Sequence, residues 1–289
     1  MSDQPHLQEA FPLEIEEIIF SLAVQTDWPS AKNLILVAKR VYQWLIPQIY
    51  EVVVFHGYRY PLDRPRSDSR NLVHHGKYVH HIMLFNGDPR ETRLYNRPGV
   101  CLTWCPNAYD VALWLTPDQY DKTLVDQLIG RRLTHLSFSF NDFKTAAARY
   151  PDISQPISFP YVTHLELINN TPLNHLKELK ESFPALTHLA VKIGSGNQLF
   201  RSPDILRTWN DQIQVLSWDI GKSVSDPAPE VLARSTYQIQ SDDPRIVILA
   251  YGQGYVDTWY EDATGGSGRW RVAEETITGY RGLNGTSGS

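Results

Sequence analysis

Apolar residues recur along this chain with two different periods. Between Phe11 and Tyr50 the period is helical. Ile15, Ile18, Ile19 and Leu22 fall at i, i+3, i+4 and i+7, one face of a helix. Pro12 suits the first position of that helix, because its missing N–H would have no partner there. Glu14, Glu16 and Glu17 follow where the helix dipole favours negative charge. Asp27-Trp28-Pro29-Ser30 breaks the pattern, Ser30 can cap a second helix, and Leu34, Val37, Ala38 and Val41 give it a face.

After Tyr50 a different unit repeats: apolar-x-x-apolar-x-apolar. Leu133, Leu136 and Phe138 fit it, as do Val162, Leu165 and Leu167, then Leu186, Leu189 and Val191, then Ile213, Leu216 and Trp218, and Val79, Ile82 and Leu84. Weaker copies fall at Ile49, Val52 and Val54, at Ala108, Val111 and Leu113, and at Ile246 and Ile248. The copies are about 24 to 30 residues apart. Helical faces lie between several of them, at Leu124, Val125, Leu128 and Ile129, and at Leu173, Leu176, Leu179 and Phe183 behind Pro172. Strand, helix, strand at this interval predicts a leucine-rich solenoid; it also fits right-handed parallel crossovers in general. A doubly wound sheet would need helices on both faces and more continuous apolar strands, whereas these strands alternate, which predicts one open face. Tyr58 to Arg70, rich in Pro, Arg and Asp, reads as a loop. From Gly252 the chain becomes glycine-rich, and Arg269 to Ile277 reads as a terminal helix that caps the last rung.

The front of the chain resembles an F-box. Pro12-Leu13-Glu14-Ile15 with Ile18-Ile19 is similar to its start, Leu36-Val37-Ala38-Lys39-Arg40 to its second helix, and Trp44 through Tyr50 to its end. The version most similar is the F-box-like module that precedes irregular leucine-rich repeats in mushroom-forming fungi. The expected architecture is therefore α/β: an F-box-like helical module over 10–48, a solenoid with a parallel sheet on its concave face over 49–251, a cap over 252–281 and a disordered tail over 282–289. The resemblance implies a substrate-recognition subunit of an SCF-type ubiquitin ligase. Pro12, Leu13, Ile15, Ile19 and Leu36 would meet a Skp-type adaptor, through it a cullin scaffold, and the solenoid would hold a target protein. The alternative is a non-catalytic scaffold whose F-box-like segment is only a structural cap, with Leu13, Ile15 and Leu36 buried against the first rungs.

Composition narrows this picture. Across 289 residues, 42% are hydrophobic, enough for a sizeable core. The net charge is −5, and Arg64-Pro65-Arg66 and Arg131-Arg132 are too short to track a phosphate backbone, so nucleic acid is not an expected partner. Two cysteines, Cys101 and Cys105, describe no disulfide framework and fit a reducing compartment. No signal sequence and no apolar run long enough for a membrane is present, so the expected location is cytoplasmic or nuclear.

The repeats also stack side chains into columns. One column reads Glu51, His81, Asp110, His135, His164, His188, Val215, Arg245. Strands lie about 4.8 Å apart, so three consecutive histidines can approach a common ion. The reading preferred from sequence is that they are half-exposed strand residues, and no metal is expected. Phe85, Trp114, Glu166, Lys192 and Asp219 stand on the same concave side and are the residues expected to grip a target. Gly221-Lys222-Ser223 fails as a phosphate loop because position 216 is Leu216 rather than glycine. Cys101 and Cys105 lack a second pair for zinc. No nucleophile elbow appears. The sequence therefore predicts a protein that is not an enzyme and carries no cofactor.

Overall fold

The computed structural model describes residues 11–27, 30–56, 69–85, 98–150, 152, 157–168, 176–193, 202–209, 212–220, 243–250, 255–266 and 268–285. Positions 58–68 of the expected loop, the helical positions Pro172 and Leu173, and Gly221-Lys222-Ser223 lie outside them. The chain opens with helices α1 (Leu13–Thr26), α2 (Ala31–Leu34) and α3 (Lys39–Tyr50). Val24, Ala31, Val41, Leu45 and Ile49 form a small core of their own.

Among the described residues strands and helices then alternate as far as β7, and β8 follows: β1 (Val52–His56), α4 (Ser69–His75), β2 (His81–Phe85), α5 (Pro98–Trp104), β3 (Asp110–Trp114), α6 (Lys122–Ile129), β4 (His135–Phe138), α7 (Phe140–Ala147), β5 (His164–Leu167), α8 (Leu176–Ser182), β6 (His188–Ile193), α9 (Ser202–Trp209), β7 (Val215–Ile220) and β8 (Ile246–Ala250). Asp121 accepts a hydrogen bond from the Leu124 amide at 2.7 Å and so caps α6, while Ser139 caps α7 by accepting from the Asp142 amide. Two more helices follow the last strand, α10 (Tyr255–Ala263) and α11 (Arg269–Gly285).

All eight strands form one sheet in sequential order, each parallel to its neighbours. This is the (β/α)8 pattern. The ladder runs from β1 to β8, and among the described residues no pairing joins its two edges. The main core lies on one face, where Ile82, Val111, Leu136, Leu165, Leu189 and Leu216 pack against α4 to α9 through Leu72, Leu102, Leu124, Phe143, Leu179 and Trp209. Phe138, Phe159 and Phe183 fill its centre, with Phe159 stacked on Phe183 at 5.1 Å.

The other face is closed as well. On α10, Val256, Trp259 and Ala263 pack on Met83 and Ala112; on α11, Ala273 and Ile277 pack on Val215, Val247 and Leu249. Strands buried on both faces read as runs of consecutive buried residues: in β3, Asp110 through Leu113 are all buried, and so are Ile82 through Leu84 in β2.

The expected fold class is corrected on this evidence. A sequential parallel sheet of βα units, sandwiched between helices on both faces, replaces the irregular leucine-rich solenoid with an open concave face behind an F-box-like handle. The alternation that suggested an open face has a local cause. The inward positions of the middle strands hold Ser137, Glu166, Ser217 and Asp219, which are polar in sequence yet buried. The first strand is also shifted by one residue. Val53 rather than Val52 pairs with Ile82, which turns Phe55 into the main core. Val52-Val53-Val54 offers no polar position to mark which face is which.

Candidate metal centre

The histidine column is real, and the register sets it. His81, Asp110, His135, His164 and His188 are successive partners across β2 to β6. The rings of His135 and His164 stack at 4.2 Å, and those of His164 and His188 at 4.1 Å. Trp270 of α11 stands edge-on to His164 and His188.

A threonine precedes each of the three stacked histidines and fixes its ring. The Oγ1 atoms of Thr134, Thr163 and Thr187 lie 3.0, 2.9 and 2.8 Å from Nδ1 of His135, His164 and His188. Each hydroxyl also donates to a carbonyl on the preceding rung: Thr134 to Tyr109, Thr163 to Thr134, Thr187 to Thr163. A hydroxyl has one proton. With that proton spent on a carbonyl, Oγ1 accepts from Nδ1–H, which leaves the lone pair on Nε2 of His135 and His164.

Burial keeps these rings neutral. It lowers the His164 pKa to about 2, with His135 and His188 adding to the effect. It also pushes His188 down, against the pull of Glu274, and His135 down, against Asp110. His188 Nε2 faces Glu274 Oε1 of α11 at 3.1 Å. A neutral ring meets the carboxylate there by donating Nε2–H, with the Thr187 hydroxyl then donating to Nδ1 instead, and a metal ion would take that proton's place. His164, His188 and Glu274 each offer one ligand atom, and all three atoms lie within 4.8 Å of one another. Bonds of about 2.0–2.2 Å to zinc need closer ligands. Glu274, whose side chain is 54% exposed, already lies 3.1 Å from His188 Nε2, so the remaining gap is to His164.

His164 and Glu274 lie on the wall of a cavity of about 350 Å³, which His81, Tyr109, Asp110, His135, Glu166 and Arg269 also line. At its far end His81 Nδ1 lies 2.8 Å from Asp110 Oδ2, and Tyr109 Oη lies 3.3 Å from His81 Nε2. With Asp110 accepting from Nδ1–H, Nε2 of His81 accepts from the tyrosine hydroxyl. The Tyr109 phenol is held above its usual pKa by burial and by Asp110 and Glu51, which keeps its proton in place.

Behind the cluster sits a buried ion network. Arg269, at the start of α11, reaches Glu166 at 2.8 Å and Asp219 at 3.0 Å. Burial opposes its charge, but Asp219, Glu166 and Asp262 outweigh that and raise its pKa. Burial raises Asp262 to about 7 although Arg269 and the Trp270 amide pull it down. Gly268 makes this approach fit, because a Cβ there would lie 2.6 Å from Asp262 Cα. Gly268→Ala is therefore expected to cost about 1–3 kcal/mol by forcing α10 and α11 apart, read as a lower urea midpoint at unchanged slope.

The residues expected to grip a target fall around this centre. Glu166 and Asp219 are buried and paired with Arg269. Lys192 is half-buried, its pKa lowered by burial against Glu166 and Asp219. Trp114 Nε1 donates to Ser137 Oγ at 3.1 Å and meets Phe85 edge-on, both packed beside α10. The residues expected to meet an adaptor lie far from it, on α1 and the turn after α2. Leu13, Ile15, Ile19 and Leu36 are exposed, Leu36 at 80%, so they do not form the buried cap of the alternative scaffold reading.

Sequence reasoning found the histidines but missed Glu274, 86 residues beyond His188. The signal was the terminal helix itself, once it is laid on the inner face of the last strands, β7 and β8. The expectation of no enzymatic chemistry is thereby corrected: the fold assembles a ligand-compatible His-His-Glu cluster, two members of which line a cavity. The Skp-type adaptor and cullin partners rested on the F-box resemblance alone and are withdrawn with it. No protein-family model matches the chain, and no curated protein matches it.

Proposed function

We propose that the protein is a divalent-metal enzyme that hydrolyses a small polar molecule held in the cavity between the sheet and α11. One observation carries this reading: His188 Nε2 lies 3.1 Å from the Glu274 carboxylate, and these two and His164 offer three ligand atoms within 4.8 Å of one another, with threonine hydroxyls holding the rings. Two imidazoles and a carboxylate suit zinc and leave a coordination position open. Bound there, the ion would supply a water of lowered pKa. His81, held by Asp110, lines the same cavity three strands away from His164. The threonine hydroxyls act from behind the ligands, as orienting partners do in metal sites.

Titration calorimetry with zinc on the chelator-treated protein tests the reading. One ion per chain is expected, with affinity in the micromolar range or tighter, and His188→Ala should weaken it by about 100-fold. A panel of p-nitrophenyl esters and phosphates, assayed with and without zinc, then reads the hydrolytic step. A wild-type protein that takes up no zinc sinks the proposal, and a loaded protein inert towards the whole panel counts against hydrolysis.

A further inference from the structure

The three candidate ligands do not belong to one layer of the fold. His164 and His188 stand on adjacent strands of the sheet, whereas Glu274 stands on α11, which covers that sheet. We infer that an ion bound here acts as a clasp, whose occupancy decides how firmly α10 and α11 are seated on the inner face. The inference rests on the proposed metal site.

The argument is one of linkage. Three ligands meet only when α11 is down; with α11 lifted, two histidines remain. The seated state therefore binds the ion more tightly, and by the same factor the ion favours the seated state. What it closes against is finely balanced. Val256 and Trp259 on α10, and Ala273 and Ile277 on α11, cover apolar patches at the two ends of the sheet. The middle of the seam is polar, with Arg269, Glu166 and Asp219 desolvated together. Buried ion pairs of this kind contribute little net stability, because desolvation offsets their attraction. The middle of the seam is where an added bond matters most. Trp270, Arg271 and Glu274 of α11 also line the cavity, so lifting the helix opens one of its walls. The clasp thus couples metal occupancy to access.

Hydrogen exchange read by mass spectrometry tests this on the full chain, with zinc and with chelator. Zinc is expected to slow exchange of the α11 amides between Val272 and Gly279 by at least about tenfold, while α5 and α6 on the opposite face stay unchanged. Glu274→Gln, a change at an exposed side chain, should still fold, bind zinc more weakly and lose the slowing. Zinc binding by calorimetry with no change in α11 exchange overturns the clasp and leaves the metal site standing. No zinc binding overturns both. Equal slowing in Glu274→Gln also overturns the clasp, because the third ligand would then not come from the helix.

Discussion

Replacing Arg269 with methionine is expected to destabilise the fold by about 3–5 kcal/mol, among the largest losses for a single substitution in this chain. The guanidinium is fully buried between Glu166 and Asp219, both buried themselves. Removing it leaves two buried carboxylates facing each other, with half-buried Lys192 as the counter-charge that remains beside them. The size of the loss comes from stranding its partners rather than from the worth of the ion pair. Two further measurements separate those causes. Adding Glu166→Gln and Asp219→Asn to Arg269→Met should recover more than half the lost stability in urea denaturation, since neutral amides can sit together there. The deficit of Arg269→Met alone should also shrink as pH falls from 8 to 5, because the stranded carboxylates can then take up protons. A deficit of the same size at both pH values, unrelieved by the amides, would mean that Arg269 acts by packing alone.

Between pH 6.5 and 5 the wild-type protein is expected to lose about 2 kcal/mol that His164→Gln retains. Burial, with His135 and His188 adding, lowers the folded pKa of His164 to about 2 from an ordinary 6.5. The unfolded chain therefore gains a proton below pH 6.5 that the folded chain refuses. Stability from this group is full above pH 6.5 and drains away as pH falls towards 2. His135 and His188 are lowered too and push the same way. Asp262 runs opposite. Burial lifts it to about 7, so the fold keeps a proton that the unfolded chain releases, and stability from Asp262 grows as pH falls from 7 towards 4. Because Asp262 is common to both proteins, the difference between their pH profiles isolates the ring. Urea midpoints at half-unit intervals of pH would show it, and parallel profiles would place His164 in contact with solvent.

Much of the strand layout was legible in the sequence, and for a simple reason. Residues two apart on a strand share a face, so Ile82 and Leu84, Leu136 and Phe138, or Leu165 and Leu167 announce the side that meets the helices. The histidine column follows from the same spacing. The repeat did not say what lies on the second face. Met83, Ala112 and Ala190 are small or flexible, and Ser137, Glu166 and Asp219 are polar, so the face reads as solvated until a helix is laid on it. The covering helices carry the complement in Trp259, Arg269 and Glu274, but pairing Arg269 with Glu166, or Glu274 with His188, spans about a hundred residues and leaves no local signature. A strand–helix repeat at this interval is common to stacked coils and to βα sheets alike, and the F-box resemblance tipped the choice towards the former. The His-His-Glu cluster was half visible in the same way: two ligands lie in the repeat and the third lies outside it.

Helices α10 and α11 come after all eight strands in the chain, yet they complete the inner layer. During synthesis the sheet can be paired and its outer helices docked while Met83, Ala112, Val215 and Val247 still face water and Glu166 and Asp219 still carry their hydration. Such an intermediate exposes two greasy stripes flanking a charged middle. A chain cut short before α10 would be ordered enough to persist and sticky enough to associate with its own kind.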